Sequence, residues 1–256
     1  MIRLPARQVH LDFHTSEAIP EIGARFDERR FQQALRLGAV QSVTVFAKCH
    51  HSWSYYPTKV GMPHPNLRTD LLGRAIDACH GAGVRAPIYY TIGFSETEAD
   101  RHPEWVARNR DGSAANCFWD PHAAPADPRP GFCWRFLCPS GSYRRQILAQ
   151  VAEIVAAYPV DGFFFDICFI TVCHCPACRA GMEERGLDPD RDEDARTYDR
   201  VKWQALCADL NALIHEQASG PTGQGGFDVA VLQIELCPFQ CRPIGVSMKM
   251  TLPSDR

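Results

Sequence analysis

Short apolar runs rich in β-branched and aromatic residues alternate along the chain with longer segments in which apolar residues recur at helical spacing. The short runs are typical of strands and the periodic segments are typical of helices. We predict strands at 9–14, 42–48, 85–91 and 160–166, helices at 26–37, 71–79 and 143–157, and a long connection at 92–142. The alternation of strand and helix predicts an α/β fold with a parallel sheet and right-handed crossovers.

The most apolar run, Val160 to Asp166, holds three consecutive phenylalanines and ends in a carboxylate. A run of this kind is typical of a strand buried on both faces. In (β/α)8 barrels the catalytic groups lie at the carboxyl ends of such strands, and residues at the opposite ends stabilise the fold. We therefore predict a (β/α)8-type barrel with Asp166 at its catalytic face and Asp161 in a structural role.

Fewer strand–helix units follow this strand than a barrel of this type contains. A polar stretch covers 188–200, a helix is predicted at 201–216, and 227–236 is a candidate fifth strand. From Cys237 onward no clear period is present. The interpretation is a barrel truncated after four or five βα units. Residues 8–219 form its N-terminal part, and 220–256 form the candidate fifth strand and an irregular, aberrant tail.

Composition and charge are those of a globular protein and do not favour a nucleic-acid-binding or membrane protein. The 256 residues are 45% hydrophobic and 22% charged, as in an ordinary globular domain. A net charge of -3 gives no electrostatic reason to expect nucleic acid or an anionic membrane as a partner. Without an apolar run of membrane-spanning length or a signal peptide, the predicted location is the cytoplasm. Twelve cysteines in that compartment favour thiols and metal ligation over disulfides.

Histidine and aspartate alternate in the first predicted strand, at His10, Asp12 and His14. Side chains two positions apart on a strand project to the same face. Their position near the carboxyl end of the strand suits a ligand site. The alternative is a polar cluster that is satisfied by structural hydrogen bonds.

The second predicted strand ends in a segment dense in imidazoles and aromatic rings. The candidate ligand-binding residues are Lys48, His50, His51 and Trp53, with Tyr90 at the end of the third strand. Aromatic faces with polar rims suit sugar rings, which stack through C–H groups and hydrogen-bond through hydroxyls. Chance clustering in a loop is the alternative, and either Tyr90 or its neighbour Tyr89 belongs to the core.

Three cysteines at metal-ligand spacing follow the fourth strand, at Cys173, Cys175 and Cys178. A structural zinc site takes four ligands, mostly Cys and His. The fourth is either the adjacent His174 or Cys138, which precedes the helix at 143–157. We favour Cys138, because adjacent residues rarely reach one metal without strain. Free, unmetallated thiols are the alternative, and no organic cofactor is expected.

Four of these segments together resemble the hypothetical glycoside hydrolase 6 family of barrel proteins. They are His10–Thr15, Phe46–Pro57, Asp161–Asp166 and Cys173–Cys178, and the resemblance covers roughly residues 8–216. It implies a glycosidase-like barrel that acts on carbohydrate. Members of the family are usually much longer, often carry a domain like the trimerisation domain of beta-galactosidases, and are expected to be homo-oligomers.

Two better-understood families share parts of the pattern. The Lys48-Cys-His-His51 run is similar to the Lys-His-His signature of family 29 alpha-L-fucosidases, whose fourth strand carries an aspartate nucleophile. Cys138 and the cysteines at 173–178 resemble the zinc-binding cysteines of family 42 beta-galactosidases. Those enzymes carry an Asn-Glu acid/base pair on strand four that this sequence lacks. The two resemblances therefore differ on the role of Asp166, and we favour the nucleophile.

The resulting hypothesis is a retaining glycoside hydrolase in which Asp166 acts as nucleophile. The residues expected to orient sugar hydroxyls are Asp12, His14, Lys48, His50, His51 and Tyr90, with Trp53 as a further substrate contact. Retention requires a second carboxyl about 5 Å from the first. Glu235 lies on the candidate fifth strand, but no motif supports it, so this partner is expected to be missing.

Two alternatives stay open. In the first, the polar residues of strands one and two (His10, Asp12, His14 and His50) hold a catalytic metal that activates water. In the second, the chain is a truncated barrel that a structural zinc ion stabilises and that binds carbohydrate without catalysis.

Overall fold

The computed structural model describes residues 5–117, 134–168, 172–218 and 230–233. The strands are β1 (Gln8–His10), β2 (Ser42–Lys48), β3 (Trp53–Ser54), β4 (Met62–Pro63), β5 (Ile88–Thr91), β6 (Asn116–Cys117), β7 (Trp134–Arg135), β8 (Gly162–Asp166) and β9 (Ala230–Gln233). The helices are α1 (Glu28–Leu37), α2 (Leu71–Gly81), α3 (Glu96–Arg101), α4 (Gly141–Ala157), α5 (Pro176–Glu183) and α6 (Asp192–Ala218). None of the helices in these ranges is both long and apolar enough to cross a membrane.

A parallel sheet organises the described residues. Its strands β1, β2, β5, β8 and β9 lie side by side in chain order, and β3 and β4 extend it beyond the end of β2. The register places Tyr89 opposite Phe164 and Thr91 opposite Asp166. Parallel neighbours in chain order, joined by helices, are the arrangement of a (β/α) barrel. The predicted α/β class with a parallel sheet is therefore confirmed.

The two faces of the sheet have different surroundings. Outward residues of the strands, such as Val45, Ile88 and Phe163, belong to one large buried cluster with side chains from the covering helices, such as Ile147 and Leu206. On the opposite face Phe46, Tyr89 and Phe164 form a second, more aromatic cluster. Side chains alternate between the two faces along each strand. Those on one face therefore pack against the helices, and those on the other face form the aromatic cluster on the side of Asp166.

Several elements differ from the sequence-based expectations. Strand β1 ends at His10, so Asp12 and His14 lie in the loop that follows and not on the strand. Helix α6 begins at Asp192, within the polar stretch at 188–200 and before the helix predicted at 201–216. Its first turn carries three acidic residues, which are favourable at the positive end of a helix dipole.

The long connection at 92–142 also contains regular structure. Ser95 accepts a hydrogen bond from the backbone N–H of Glu98 and so caps α3. Further along, β6 and β7 pair antiparallel. Ser140 is the N-cap of α4, although its hydroxyl makes no capping hydrogen bond. Part of the predicted fifth strand is present as β9, whereas Glu235 and the tail from Cys237 lie outside the described residues.

Candidate active site and metal centre

Asp166 lies at the carboxyl end of β8 with its side chain 19% exposed. Its Oδ2 accepts a hydrogen bond of 2.6 Å from the Tyr89 hydroxyl, and its Oδ1 accepts one of 2.8 Å from the backbone N–H of Ile167. Ile167 has a φ of 58°, a conformation that β-branched residues rarely adopt. The chain therefore turns sharply just after Asp166, and each carboxylate oxygen has a donor.

A chain of hydrogen bonds continues from Tyr89 to a histidine. The Thr91 hydroxyl donates to the Tyr89 oxygen at 2.9 Å, and it lies 2.9 Å from Nδ1 of His50. Because the hydroxyl has a single proton, Nδ1 of His50 must be the donor in the second contact. The Nε2 of His50 then carries a lone pair and lies 3.8 Å from Oδ2 of Asp166. Beside the carboxylate this nitrogen can accept a hydrogen bond from a ligand hydroxyl.

The imidazole rings of His14 and His50 stack, with centroids 3.9 Å apart and planes inclined by 8°. The His50 backbone N–H donates to Nδ1 of His14 at 3.2 Å, so the proton of His14 lies on Nε2. That nitrogen is 3.1 Å from the exposed Asp12 carboxylate. Both nitrogens of His14 therefore have protein partners, and stacked rings do not direct their nitrogens at a common metal ion.

Burial keeps these imidazoles neutral. It lowers the pKa of His50 to about 2, and the neighbouring His14 and His51 act in the same direction. Burial also lowers the pKa values of His14 and His51. For Tyr89, burial and then the Asp166 carboxylate raise the pKa well above its usual value. At neutral pH the site therefore contains neutral histidines and a tyrosine that remains a hydrogen-bond donor.

Aromatic rings form the floor and one rim of this site. On the floor, Phe46 stacks on Tyr89 with ring centroids 3.9 Å apart, and the His10 ring lies 5.4 Å from those of Phe46 and Phe164. On the rim, Trp134 lies 4.8 Å from His51 and 5.7 Å from His50. The arrangement combines apolar faces with polar groups, as sugar-binding sites do.

Lys48 and Tyr90 were expected at this site, and the structure places them on the other face of the sheet. A bulge between Phe46 and Lys48 shifts the register, so Lys48 lies opposite Tyr90. Lys48 is 1% exposed and forms an ion pair of 2.8 Å with the buried Glu98. Tyr90 is fully buried and donates to Gln150 at 2.9 Å. The sequence prediction did not include the bulge, which directs Lys48 into the helix-covered core. Tyr90 lies on that face because it alternates along β5 with Tyr89, which faces the other side.

Trp53 is also buried, with 8% exposure, and its ring lies 5.8 Å from that of His64. It belongs to the aromatic core cluster and not to the group around Asp166. Trp134, which the sequence reasoning did not identify, lies beside the histidines. The sequence reasoning also missed Thr91. Its position at the end of β5, paired with Asp166 on the adjacent parallel strand, could have identified it.

A second site gathers four buried cysteines, Cys138, Cys173, Cys175 and Cys178, whose sulfur atoms all lie within 4.8 Å of one another. Cys138 Sγ is 3.4 Å from that of Cys178 and 4.0 Å from that of Cys175. A zinc ion with Zn–S bonds of about 2.3 Å requires sulfurs about 3.8 Å apart in a tetrahedron. The four thiols therefore form a group of the right composition and size for a tetrathiolate metal site.

Backbone and side-chain donors surround these sulfurs. The N–H groups of Arg108 and Cys175 donate to Cys173 Sγ, each at 3.4 Å, and Lys202 Nζ lies 3.9 Å from Cys138 Sγ. Hydrogen bonds from the other three cysteines hold the pKa of Cys138 well below its usual value. His174 is not part of the group, and its backbone N–H donates to the Arg108 carbonyl.

Comparison with solved structures finds several proteins to which this chain is similar. The alpha-L-fucosidase isoenzyme 2 of Paenibacillus thiaminolyticus is 36% identical, with a TM-score of 0.77 over 90% of this chain and 32% of that enzyme. An alpha-L-fucosidase GH29 of Bacteroides thetaiotaomicron is 15% identical, with a TM-score of 0.43 over 81% of this chain and 34% of that one. An alpha-galactosidase of Thermus thermophilus is 12% identical, with a TM-score of 0.49 over 90% and 41% of the two chains. No curated protein matches significantly in sequence.

The chain spans about a third of the length of the Paenibacillus thiaminolyticus fucosidase, since it covers 32% of that protein. The family model described as hypothetical glycosyl hydrolase 6 matches residues 27–167, which is more than half of the chain. The matched range includes β2, β5 and β8 with Asp166. The chain belongs to the hypothetical glycosyl hydrolase 6 family.

Proposed function

We propose that this protein is a retaining glycoside hydrolase in which Asp166 is the nucleophile. The observation that carries the proposal is the position of this carboxylate at the end of β8, between a tyrosine donor and a neutral histidine acceptor. Two hydrogen-bond donors orient its oxygens, and a carboxylate can act as a nucleophile on a sugar. The neighbouring aromatic rings supply a surface for the sugar.

The proposed reaction has two steps. First, a lone pair of Asp166 forms a bond to the anomeric carbon while the bond from that carbon to the glycosidic oxygen breaks. The electron pair leaves with the departing oxygen, which takes up a proton from solvent. Second, water forms a bond to the anomeric carbon and loses a proton to solvent, while the bond from that carbon to Asp166 breaks and releases Asp166 as a carboxylate.

An alpha-L-fucoside is the proposed substrate, because the Paenibacillus thiaminolyticus enzyme with 36% identity is an alpha-L-fucosidase. We assign Nε2 of His50 as the acceptor of a hydrogen bond from a sugar hydroxyl. The exposed carboxylate of Asp12, which His14 contacts, is a further acceptor. His51 and Trp134 are the proposed contacts at the rim.

Fucosyl fluoride tests the nucleophile, because fluoride leaves without protonation and the first step then needs only Asp166. We expect Asp166→Ala to abolish turnover and added azide to restore product formation as fucosyl azide of inverted configuration. Asp161→Asn is the matched control, since it changes a carboxylate at the opposite end of the same strand, where Asp161 accepts hydrogen bonds from His80 and Ala86. Full turnover by Asp166→Ala would contradict the assignment of Asp166 as the nucleophile.

We further propose that the four-cysteine group binds a structural zinc ion. The ligand set is complete, the sulfurs are buried, and no position is left open for substrate, as is typical of structural sites. The ion would link the segment before α4 to the segment after β8. Metal analysis of the purified protein should find one zinc per chain, which is lost in Cys173→Ser and kept in Cys79→Ser. Cys79 is an equally buried cysteine on α2, outside the group.

A further inference from the structure

A buried lysine lies beside the cysteine group. Lys202, on α6, is 6% exposed, and its ammonium lies 3.9 Å from Cys138 Sγ. The ammonium also forms an ion pair with Asp199, one turn earlier on the same helix. Burying a charge is costly unless a partner compensates it, so the position of this ammonium requires an explanation.

Asp199 alone does not supply that explanation. Its carboxylate is 1% exposed, and among the described residues neither oxygen has a hydrogen bond beyond the ion pair. A surface position on α6 would have allowed the same pair to remain hydrated. Burial of the pair instead places the ammonium between two groups, the Asp199 carboxylate and the Cys138 sulfur.

The charge of a metal tetrathiolate accounts for this arrangement. A divalent ion with four thiolates carries a net charge of -2, and here it would lie in a buried cluster without water to solvate it. The backbone donors from Arg108 and Cys175 are neutral and both reach Cys173. At Cys138, by contrast, the donor is a full positive charge.

We propose that Lys202 is an outer-sphere component of the metal site, whose fixed positive charge stabilises the metal-bound thiolate of Cys138, while the same ammonium forms an ion pair with Asp199. The inference rests on the proposed zinc site and adds a residue that no ligand motif includes. Outer-shell partners of metal ligands typically contribute roughly 10- to 100-fold in metal affinity.

Two variants separate this role from simple ion pairing. In Lys202→Met the charge near Cys138 is lost, but the Asp199 carboxylate is also left buried and unpaired, which by itself destabilises a fold. The double variant Lys202→Met/Asp199→Asn removes both charges and so avoids the unpaired carboxylate. Asp199→Asn alone keeps the ammonium next to the sulfur.

The experiment measures Zn²⁺ affinity of the full chain by competition with a chromophoric chelator, and Co²⁺ binding by its thiolate charge-transfer absorption. We expect the double variant to bind Zn²⁺ roughly 10- to 100-fold more weakly than the unmodified protein, and Asp199→Asn to bind it nearly as well. The Lys202→Arg variant, which keeps the charge, should recover most of the affinity.

Zn²⁺ affinity of the double variant equal to that of the unmodified protein would show that Lys202 only neutralises Asp199, and would overturn the inference. A different failure would affect the zinc proposal itself. If the unmodified protein shows no thiolate–Co²⁺ absorption, the cysteines do not form a metal site. The two outcomes are therefore distinguishable.

Discussion

Tyr89 and Tyr90 are neighbours on β5, but their hydroxyls serve different faces of the sheet. Tyr89 donates to Asp166, whereas Tyr90 donates to Gln150 in the core. Hydrogen bonds to charged groups contribute about 1.5–3 kcal/mol. We expect Tyr89→Phe to lower the rate of fucosyl-fluoride turnover roughly 10- to 100-fold, because Asp166, the proposed nucleophile, loses its Oδ2 donor.

Tyr90→Phe is the control, since it removes the same atom from the adjacent residue. It should lower the melting temperature by a few degrees, because Gln150 loses a buried donor, and leave turnover almost unchanged. Equal losses of turnover in the two variants would show that the Tyr89 hydroxyl has no specific effect on Asp166.

His50 makes stability depend on pH. Its pKa in the folded protein is lowered to about 2, chiefly by burial, from a usual value of 6.5. Below pH 6.5 the unfolded chain therefore binds a proton that the folded chain does not bind, and stability falls as the pH is lowered towards 2. The slope for one such group approaches about 1.4 kcal/mol per pH unit.

Urea unfolding at a series of pH values from neutral to mildly acidic measures this slope. We expect His50→Gln to lose less stability than the unmodified protein over that range, because glutamine does not titrate there. Parallel curves for the two proteins would contradict the neutral, buried state of His50.

The residue types around Asp166 could be predicted from the sequence, but their orientation could not. Asp166, His14 and His50 lie together because each stands at or beyond the carboxyl end of a parallel strand of the same sheet. Lys48 was misplaced because one bulge in β2 reverses the face to which its side chain points. A bulge leaves no clear mark in hydrophobic periodicity.

At the scale of elements, prediction succeeded where burial determines the pattern. Strand β2 has the bounds expected from its β-branched run, and α4 and β8 lie within two residues of the expected ones. The beginning of α6 was missed because its first turn is acidic and shows no apolar periodicity, and because the helix depends on packing against α4. Helix α3 was missed for a similar reason, since it is short and lies within a polar connection.

The backbone just after β5 lies in close contact with the turn that follows β8. Gly93 follows β5, and a Cβ at this position would overlap the Ile167 carbonyl oxygen just beyond Asp166. We expect Gly93→Ala to push the Asp166 turn away, to lower the free energy of unfolding by about 1–3 kcal/mol, and to reduce turnover.

Gly112→Ala is the comparison variant. Gly112 has a φ of 85° with open space around it, so alanine there adds backbone strain without a collision. It should lower stability by about 1–2 kcal/mol and leave turnover intact. Activity and stability of Gly93→Ala equal to those of the unmodified protein would contradict the close approach.

At the scale of the whole molecule, the cysteine group lies next to the segments around Asp166 and Trp134. Cys138 is four residues beyond Trp134, and Cys173 is seven residues beyond Asp166. Backbone hydrogen bonds join these segments to a third, since Cys138 N–H donates to the Trp105 carbonyl and His174 N–H donates to that of Arg108. A metal ion at the cysteines would therefore tie together three loops at one end of the sheet.

Removal of the proposed metal ion should loosen these loops and leave the centre of the sheet intact. The reason is that hydrogen bonds between β2 and β5 and the large apolar cluster stabilise these strands, whereas the cysteine group belongs to a small separate cluster. After chelation, we expect amide hydrogen exchange to accelerate at least about tenfold in 105–108, 136–140 and 172–178, and to stay unchanged in 42–48 and 88–91.

Turnover provides the second measurement of the same effect. Since Trp134 and the turn after Asp166 both adjoin the loosened segments, kcat/KM should fall on chelation and recover on addition of Zn²⁺. Cys79→Ser, treated identically, should behave as the unmodified protein does, because Cys79 lies outside the cysteine group. Exchange that accelerates equally in β2 would mean that the metal supports the entire fold, and exchange that does not change would mean that the loops are held without it.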